Sequence, residues 1–188
     1  VPGKATILIV GGSLGARTLN ESVLGNLPLV KQQNKVQFIW QTGKYYSEEI
    51  QAELKRRGCP QNLVVMDFIS DMRQAFAAAD LVISRAGAGS ISEFCLLGKP
   101  AILVPSPNVA EDHQTKNALS LVQKDAALYV TDADARRSLL PLAINTVSDH
   151  SRLEVLSFNI KKLARPNAAS DIADEVIKLA EAYQGKTK

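Results

Sequence analysis

The sequence predicts an α/β fold: a doubly wound parallel Rossmann-like sheet with helices on both faces. Three observations predict it. Six short apolar runs recur along the 188-residue chain, separated by segments of helical period. The runs are continuous rather than alternating, as strands covered on both faces must be. Glycine-rich stretches follow the first and fourth runs, where a strand of such a sheet hands over to a helix.

The elements follow in order. TILIV (Thr6–Val10) is the first strand, and the loop GGSLGAR (Gly11–Arg17) leaves it. VQFIW (Val36–Trp40) is the second, followed by YYSEEIQAELKRRG (Tyr45–Gly58), whose spacing and polar face predict a helix. LVVM (Leu63–Met66) precedes the helix DMRQAFAAAD (Asp71–Asp80), and LVIS (Leu81–Ser84) is the fourth strand. SISEFCLLG (Ser90–Gly98) reads as a helix ending in a C-cap glycine before Lys99 and Pro100. AILVP (Ala101–Pro105), the helix EDHQTKNALSLVQKD (Glu111–Asp125) and ALYV (Ala127–Val130) complete the alternation. Helices over Ala133–Val147, Arg152–Ala164 and Ser170–Tyr183 close the chain. Residues 1–164 thus form one domain, and 165–188 add its last helix and a tail, GKTK (Gly185–Lys188), expected to fray.

Composition narrows the classes. Hydrophobic residues at 46% and charged residues at 22% are ordinary for a soluble globular chain. A net charge of +3, evenly spread, gives no footprint for nucleic acid. No apolar run reaches the roughly 20 residues of a membrane span, and VPGKATILIV lacks the form of a signal peptide. Cys59 and Cys95 have neither metal-ligand nor CxxC spacing, which predicts free thiols in a reducing compartment, the cytoplasm.

In doubly wound sheets ligands bind beyond the carboxyl ends of the strands. GGSLGAR is neither a Walker A loop nor G-x-G-x-x-G, yet Gly11, Gly12 and Gly15 allow a sharp turn, and Ser13 can donate to a phosphate oxygen. The alternative is a tight turn and nothing more. RAGAGS (Arg85–Ser90) repeats the theme with Gly87 and Gly89 at a helix start, where free N–H groups and the positive dipole end suit an anion. Ser90 and Glu93 have capping-box spacing; the alternative is that Glu93 holds a sugar hydroxyl. His113 and Gln114 open a helix facing the same crevice, or are simply solvated there.

GGSLGA, FISDM (Phe68–Met72), SRAGAGSISE, GKPAILVPSP and DHQTKNA, in that order and spacing, resemble the C-terminal half of the MurG family. These are the bacterial transferases that add N-acetylglucosamine to undecaprenyl-pyrophosphoryl-MurNAc-pentapeptide, converting lipid I to lipid II. The resemblance covers nearly the whole chain. It implies the C-terminal domain of a GT-B glycosyltransferase, with residues 1–164 as the UDP-sugar-binding domain. It also implies UDP-GlcNAc as substrate, no cofactor and no metal. The acceptor half that takes lipid I, its membrane contacts and the short arginine-bearing segment before the first strand would lie outside this chain. The full-length protein would sit peripherally on the inner face of the cell membrane, and this half would be inactive alone.

Residue by residue, the resemblance assigns Ser13 and Gly15 to the pyrophosphate, and the backbone of Ile69 to the uracil edge. Ala88, Gly89, Ser90, Ile91 and Ser92 would line the nucleotide, Glu93 would hold the ribose hydroxyls, and His113 and Gln114 would face the sugar. His113 stands where many relatives have glutamine, with one residue inserted before it.

Displacing UDP from the anomeric carbon develops negative charge on the β-phosphate, which backbone N–H groups and a helix N-terminus can stabilise. The sequence has no Asp-x-Asp metal motif; DADA (Asp132–Ala135) lies after the last strand. Inversion needs a base for the acceptor hydroxyl, and none is identified in this chain. Three other readings compete. A UDP-GlcNAc epimerase needs carboxylates and histidines across a cleft. A donor-binding subunit of a two-chain transferase would be encoded by its own reading frame. An NAD-binding domain is disfavoured by the first loop and by a second strand ending in WQTGK without an acidic residue.

Overall fold

The computed structural model describes residues 3–185. β1 (Ala5–Val10), β2 (Val36–Gln41), β3 (Leu63–Met66), β4 (Leu81–Ser84), β5 (Ala101–Leu103) and β6 (Leu128–Tyr129) form one sheet in the order β3-β2-β1-β4-β5-β6. Every neighbouring pair is parallel.

The continuous apolar runs have a simple cause. Successive strand residues point to opposite faces, and each face has its own core. Ile7 and Ile9 of β1, Leu81 and Ile83 of β4 and Phe38 and Trp40 of β2 face one core, which α1 (Arg17–Gly25), α3 (Ser47–Arg57) and α7 (Asp132–Val147) cover. Leu8, Val82 and Leu103 face the other, beneath α4 (Met72–Ala78), α5 (Ala88–Leu97), α6 (His113–Val122) and the end of α8 (His150–Lys161). Trp40, Phe38 and Phe94 are among the largest fully buried side chains, and burial of an aromatic of this kind contributes about 1.5–3 kcal/mol.

The structure departs from the sequence reading in the first crossover and at several element ends. The first crossover holds α1 and a short α2 (Leu27–Lys31), which the apolar pattern had not delimited. The reason is that α1 buries Thr18, Asn20 and Ser22, so its inner face does not look apolar. β5 is shorter than its apolar run: Val104 still donates to Ser84 O at 2.9 Å, but Pro105 has no N–H to continue. α5 starts at Ala88 rather than Ser90, with consequences taken up below. Residues 186–188 of the expected frayed tail lie outside the described residues, while Gly185 closes α9 (Ala168–Gly185). Residues 168–183 of α9 are all exposed, Ile172 and Leu179 among them, so this helix adds nothing to either core.

Strand order reverses between β1 and β4, which pair directly from Ile7↔Leu81 to Val10↔Ser84. A crevice outside the strand ends opens at such a switch point. The loops after β1 and β4 are its two lips.

Candidate functional site

Helix starts divide into capped and uncapped ones, and α2, α3 and α6 are among those without a side-chain cap. Asp71, Thr131 and Asp149 cap α4, α7 and α8 with side-chain hydrogen bonds. α1 and α5, which start at the switch point, have Ala16 and Gly87 as N-caps, no side-chain cap and no acidic residue in the first turn. In α5 the first intrahelical donor is Ile91 N, to Gly87 O at 3.0 Å. The N–H groups of Ala88, Gly89 and Ser90 therefore lack an intrahelical acceptor and lie at the positive end of the dipole. Uncapped starts of this kind bind anions.

Gly87 and Gly89 sharpen the point. A Cβ built on either meets nothing within 4 Å. Gly87 has φ −69° and ψ 141°, an extended conformation open to any residue. Neither backbone geometry nor internal packing requires glycine there. What the two glycines provide is open space above the start of α5.

The early start of α5 removes the capping box. Ser90 is the third helical residue and Glu93 the sixth, too far along to reach the N-cap. Ser92 Oγ instead donates to Ala88 O at 2.9 Å, one turn back. The Glu93 side chain is exposed and has no hydrogen bond or ion pair within the described residues.

The first loop is built by close backbone contact. Gly12 and Gly15 have φ +82° and +87°, and Gly15 N donates to Gly12 O at 3.0 Å. A Cβ on Gly15 would stand 2.1 Å from Thr42 O, and one on Gly43 would stand 2.2 Å from Gly15 N. The loop after β1 thus lies directly on the loop after β2, and its tip presents Ser13 and Leu14 to solvent.

Side chains that sequence reasoning passed over lock the remaining loops. Gln41, buried at the end of β2, donates through Nε2 to Gly12 O at 2.8 Å and Asp67 O at 3.1 Å. Its Oε1 accepts from Gly11 N at 3.1 Å. Asn20 of α1 donates to Thr42 O at 2.9 Å and accepts from Trp40 Nε1 at 3.0 Å. On the other lip, Arg85 donates to Val104 O and Pro105 O, both at 3.1 Å, and pairs with Asp132, which also accepts from Thr18 Oγ1 at 2.9 Å. DADA is therefore part of this edge: Asp132 opens α7 as the partner of Arg85. The available signal was a polar residue where the apolar period calls for a hydrophobic one, as at Asn20.

The other expected site residues divide. Ile69 buries its side chain beside Leu8, Phe76 and Phe94, and no hydrogen bond within the described residues engages its N–H or C=O. Its backbone N–H and C=O are therefore open to a ligand. His113 and Gln114, both expected to face the sugar, point different ways. His113 is exposed, its Nε2 3.6 Å from a Glu111 carboxylate oxygen. Gln114 turns inward, its Oε1 accepting from Ala86 N at 3.2 Å and Ser106 N at 2.8 Å. Glu111 and Asp112, just before α6, both have φ above +50°, a strained pair for non-glycine residues.

Comparison with known proteins places this geometry. Residues 6–176 match the glycosyltransferase family 28 C-terminal domain. A Bacteroides thetaiotaomicron protein is 62% identical over 96% of this chain, and the match covers 49% of its own length. It is named UDP-N-acetylglucosamine--N-acetylmuramyl-(pentapeptide) pyrophosphoryl-undecaprenol N-acetylglucosamine transferase. The crystal structure of Acinetobacter baumannii MurG superposes with a TM-score of 0.80 at 35% identity, over 93% of this chain and 52% of that one. A putative UDP-N-acetylglucosamine 2-epimerase from Listeria monocytogenes shares the fold, with a TM-score of 0.66 at 10% identity over 96% of this chain and 46% of that one. The chain spans about half the length of the curated relatives it matches.

Proposed function

The chain belongs to the glycosyltransferase family 28 C-terminal domains, and from that premise we propose that it is the donor-binding half of an inverting N-acetylglucosaminyltransferase of peptidoglycan synthesis. Its substrate is UDP-GlcNAc, and the complete enzyme converts lipid I to lipid II. The observation that carries the reading is the pair of uncapped helix starts at the β1/β4 switch point, with open space above Gly87.

The diphosphate lies between the loop after β1 and the start of α5. The N–H groups of Ala88, Gly89 and Ser90 and the hydroxyl of Ser13 point donors at it. The ribose reaches Glu93, whose free carboxylate accepts from two hydroxyls, and the uracil meets the Ile69 backbone. As the bond from the anomeric carbon to the β-phosphate oxygen breaks, charge grows on that phosphate, and donors fixed in place stabilise it without rearranging. This charge stabilisation needs no divalent cation. Gln114 acts on the site by holding the Ala86 and Ser106 peptides. His113 faces outward, toward the sugar and the acceptor side. The base that deprotonates the acceptor hydroxyl, the lipid I site and the membrane contact belong to the half of the relatives that this chain does not span. Among the described residues no helix is long and apolar enough to cross a membrane.

Calorimetric titration of the chain with UDP-GlcNAc, UDP-GalNAc, NADH and ATP, with and without EDTA, tests the reading. UDP-GlcNAc should bind most tightly, and EDTA should change nothing. Preference for NADH or ATP, or binding abolished by EDTA, would contradict it. The chain alone should transfer no sugar to a lipid I analogue; turnover by the purified chain would contradict that part.

A further inference from the structure

A second cavity lies on the flank where α5 and α6 meet the segment joining α8 to α9; its volume is about 640 Å³. We propose that it binds a phosphate-bearing amphiphile. Lys124, Lys162 and Arg165 stand around it, and among the described residues no carboxylate lines it. None of the three makes an ion pair within the described residues, although Lys162 Nζ lies 3.9 Å from the centre of the exposed Phe158 ring. Lysines elsewhere, such as Lys31, Lys35 and Lys55, also stand without an ion pair within the described residues; what marks this place is that three such cations surround one cavity. Three uncompensated cations around one cavity set up a positive potential that selects an anion.

The floor is of the opposite character. Ile91, Leu121 and Leu163 line it, and Leu96, 47% exposed, extends the apolar surface to the mouth. A volume of this size accommodates a ligand with a ring or a short alkyl chain. Cationic rim and apolar floor together match a phosphate joined to a hydrocarbon. An anionic lipid at a membrane surface and a soluble alkyl or aryl phosphate both have that chemistry. Ile91 and Ser92, expected to line the nucleotide, line this cavity instead, while residues 87–90 do not, so the site uses none of the N–H groups on which the donor reading rests.

The cavity contains its own reporter. Cys95 lines it and is buried, whereas Cys59 is exposed elsewhere. Burial pushes the Cys95 thiol up from its ordinary range, with Lys124 opposing, and partial desolvation raises Cys59 as well, so labelling is run in mildly alkaline buffer.

The test uses the 188-residue chain with excess UDP present to fill the crevice. It is titrated with monododecyl phosphate below its micelle concentration and with inorganic phosphate, and sedimented with phosphatidylcholine vesicles with and without phosphatidylglycerol. The same measurements are made on the Lys124→Gln/Lys162→Gln/Arg165→Gln variant. Dodecyl phosphate should bind more tightly than inorganic phosphate and should slow alkylation of Cys95 but not of Cys59. At about fivefold per cation, the variant should bind on the order of a hundredfold more weakly, with its melting temperature unchanged. Cation-dependent binding to the phosphatidylglycerol vesicles would identify a lipid surface as the source of the ligand, and binding of the free amphiphile alone a soluble one. Undiminished binding by the variant, inorganic phosphate as tight as dodecyl phosphate, or no protection of Cys95 would overturn the proposal.

Discussion

Gln114 and Asn117 hold the same residue from opposite sides: Gln114 Oε1 accepts from Ala86 N at 3.2 Å, and Asn117 Nδ2 donates to Ala86 O at 3.1 Å. Three residues apart on α6, they share one helix face. Ala86 is fully buried at the end of the β4 loop, one residue before the N-cap of α5. The grip therefore fixes where the free N–H groups of α5 point.

Asn117→Ala removes half of that grip. A single neutral hydrogen bond contributes about 0.5–1.5 kcal/mol net, so the folded chain should lose about that much stability. UDP affinity should also fall, because the first turn of α5 is no longer held in place before the ligand arrives. Melting temperature and UDP titration on one preparation check both. Lost stability with unchanged affinity would confine Asn117 to the fold.

Gly15→Ala should be far more damaging than its size suggests. The added Cβ would meet Thr42 O at 2.1 Å, and the residue sits at φ +87°. Clash and backbone strain together should cost roughly 2–4 kcal/mol, which at about 2–4 °C per kcal/mol for a chain of this size is a large drop in melting temperature. Gly12→Ala is the control: it carries similar strain, φ +82°, but its Cβ meets nothing within 4 Å. Equal losses for the two would show that the Gly15–Gly43 contact is unimportant.

Glu93→Gln separates binding from folding. Glu93 neither caps α5 nor pairs with a neighbour, so the melting temperature should hardly move. Glutamine cannot accept through both terminal atoms. UDP affinity should therefore fall by about 1.5–3 kcal/mol, the range for hydrogen bonds to charged groups. An unchanged titration curve would remove Glu93 from the ribose.

Acid should weaken the fold through Asp125 and Glu21. The bidentate hydrogen bonds from Arg152 hold the Asp125 carboxyl below its ordinary range. Burial raises Glu21, but the hydrogen bonds from Arg136 and Arg17 outweigh it and leave that group lowered too. A carboxylate whose folded pKa is depressed contributes stability above its unfolded pKa and loses it as pH falls through the folded one. Arg152→Ala should thus be less stable than the parent at neutral pH. The two should converge once pH falls well below the ordinary carboxylate range. A stability gap of constant size across that range would show that the pair does not act through its charge.

The strands were legible because each buries residues on both faces, which writes a continuous apolar run such as Thr6–Val10 into the chain. The glycine loops were legible because few residues other than glycine tolerate the φ of Gly12 and Gly15. The start of α5 was misplaced because Ser90 and Glu93 have capping-box spacing, while Gly87, already extended, begins the helix without a cap. The locks were hidden for a different reason. Gln41 holds Gly12 from 29 residues away, and Thr18 reaches Asp132 across 114. Polar contacts of that span leave no local period, and in α1 they masked the apolar stripe that would have announced the helix.

The central claim is that the space above α5 belongs to a bound diphosphate, and Gly87→Val tests it most directly. The fold should accept valine, since φ −69° and ψ 141° suit a β-branched residue and the new Cβ meets nothing within 4 Å. A ligand on the free N–H groups would meet the new side chain at once. The measurement is UDP titration of wild type and Gly87→Val, with melting temperatures taken alongside. The account predicts nearly equal melting temperatures and a loss of affinity on the order of 2 kcal/mol or more, the cost of forcing a group into a filled site. Gly87→Val that folds and binds UDP as tightly as wild type would contradict it.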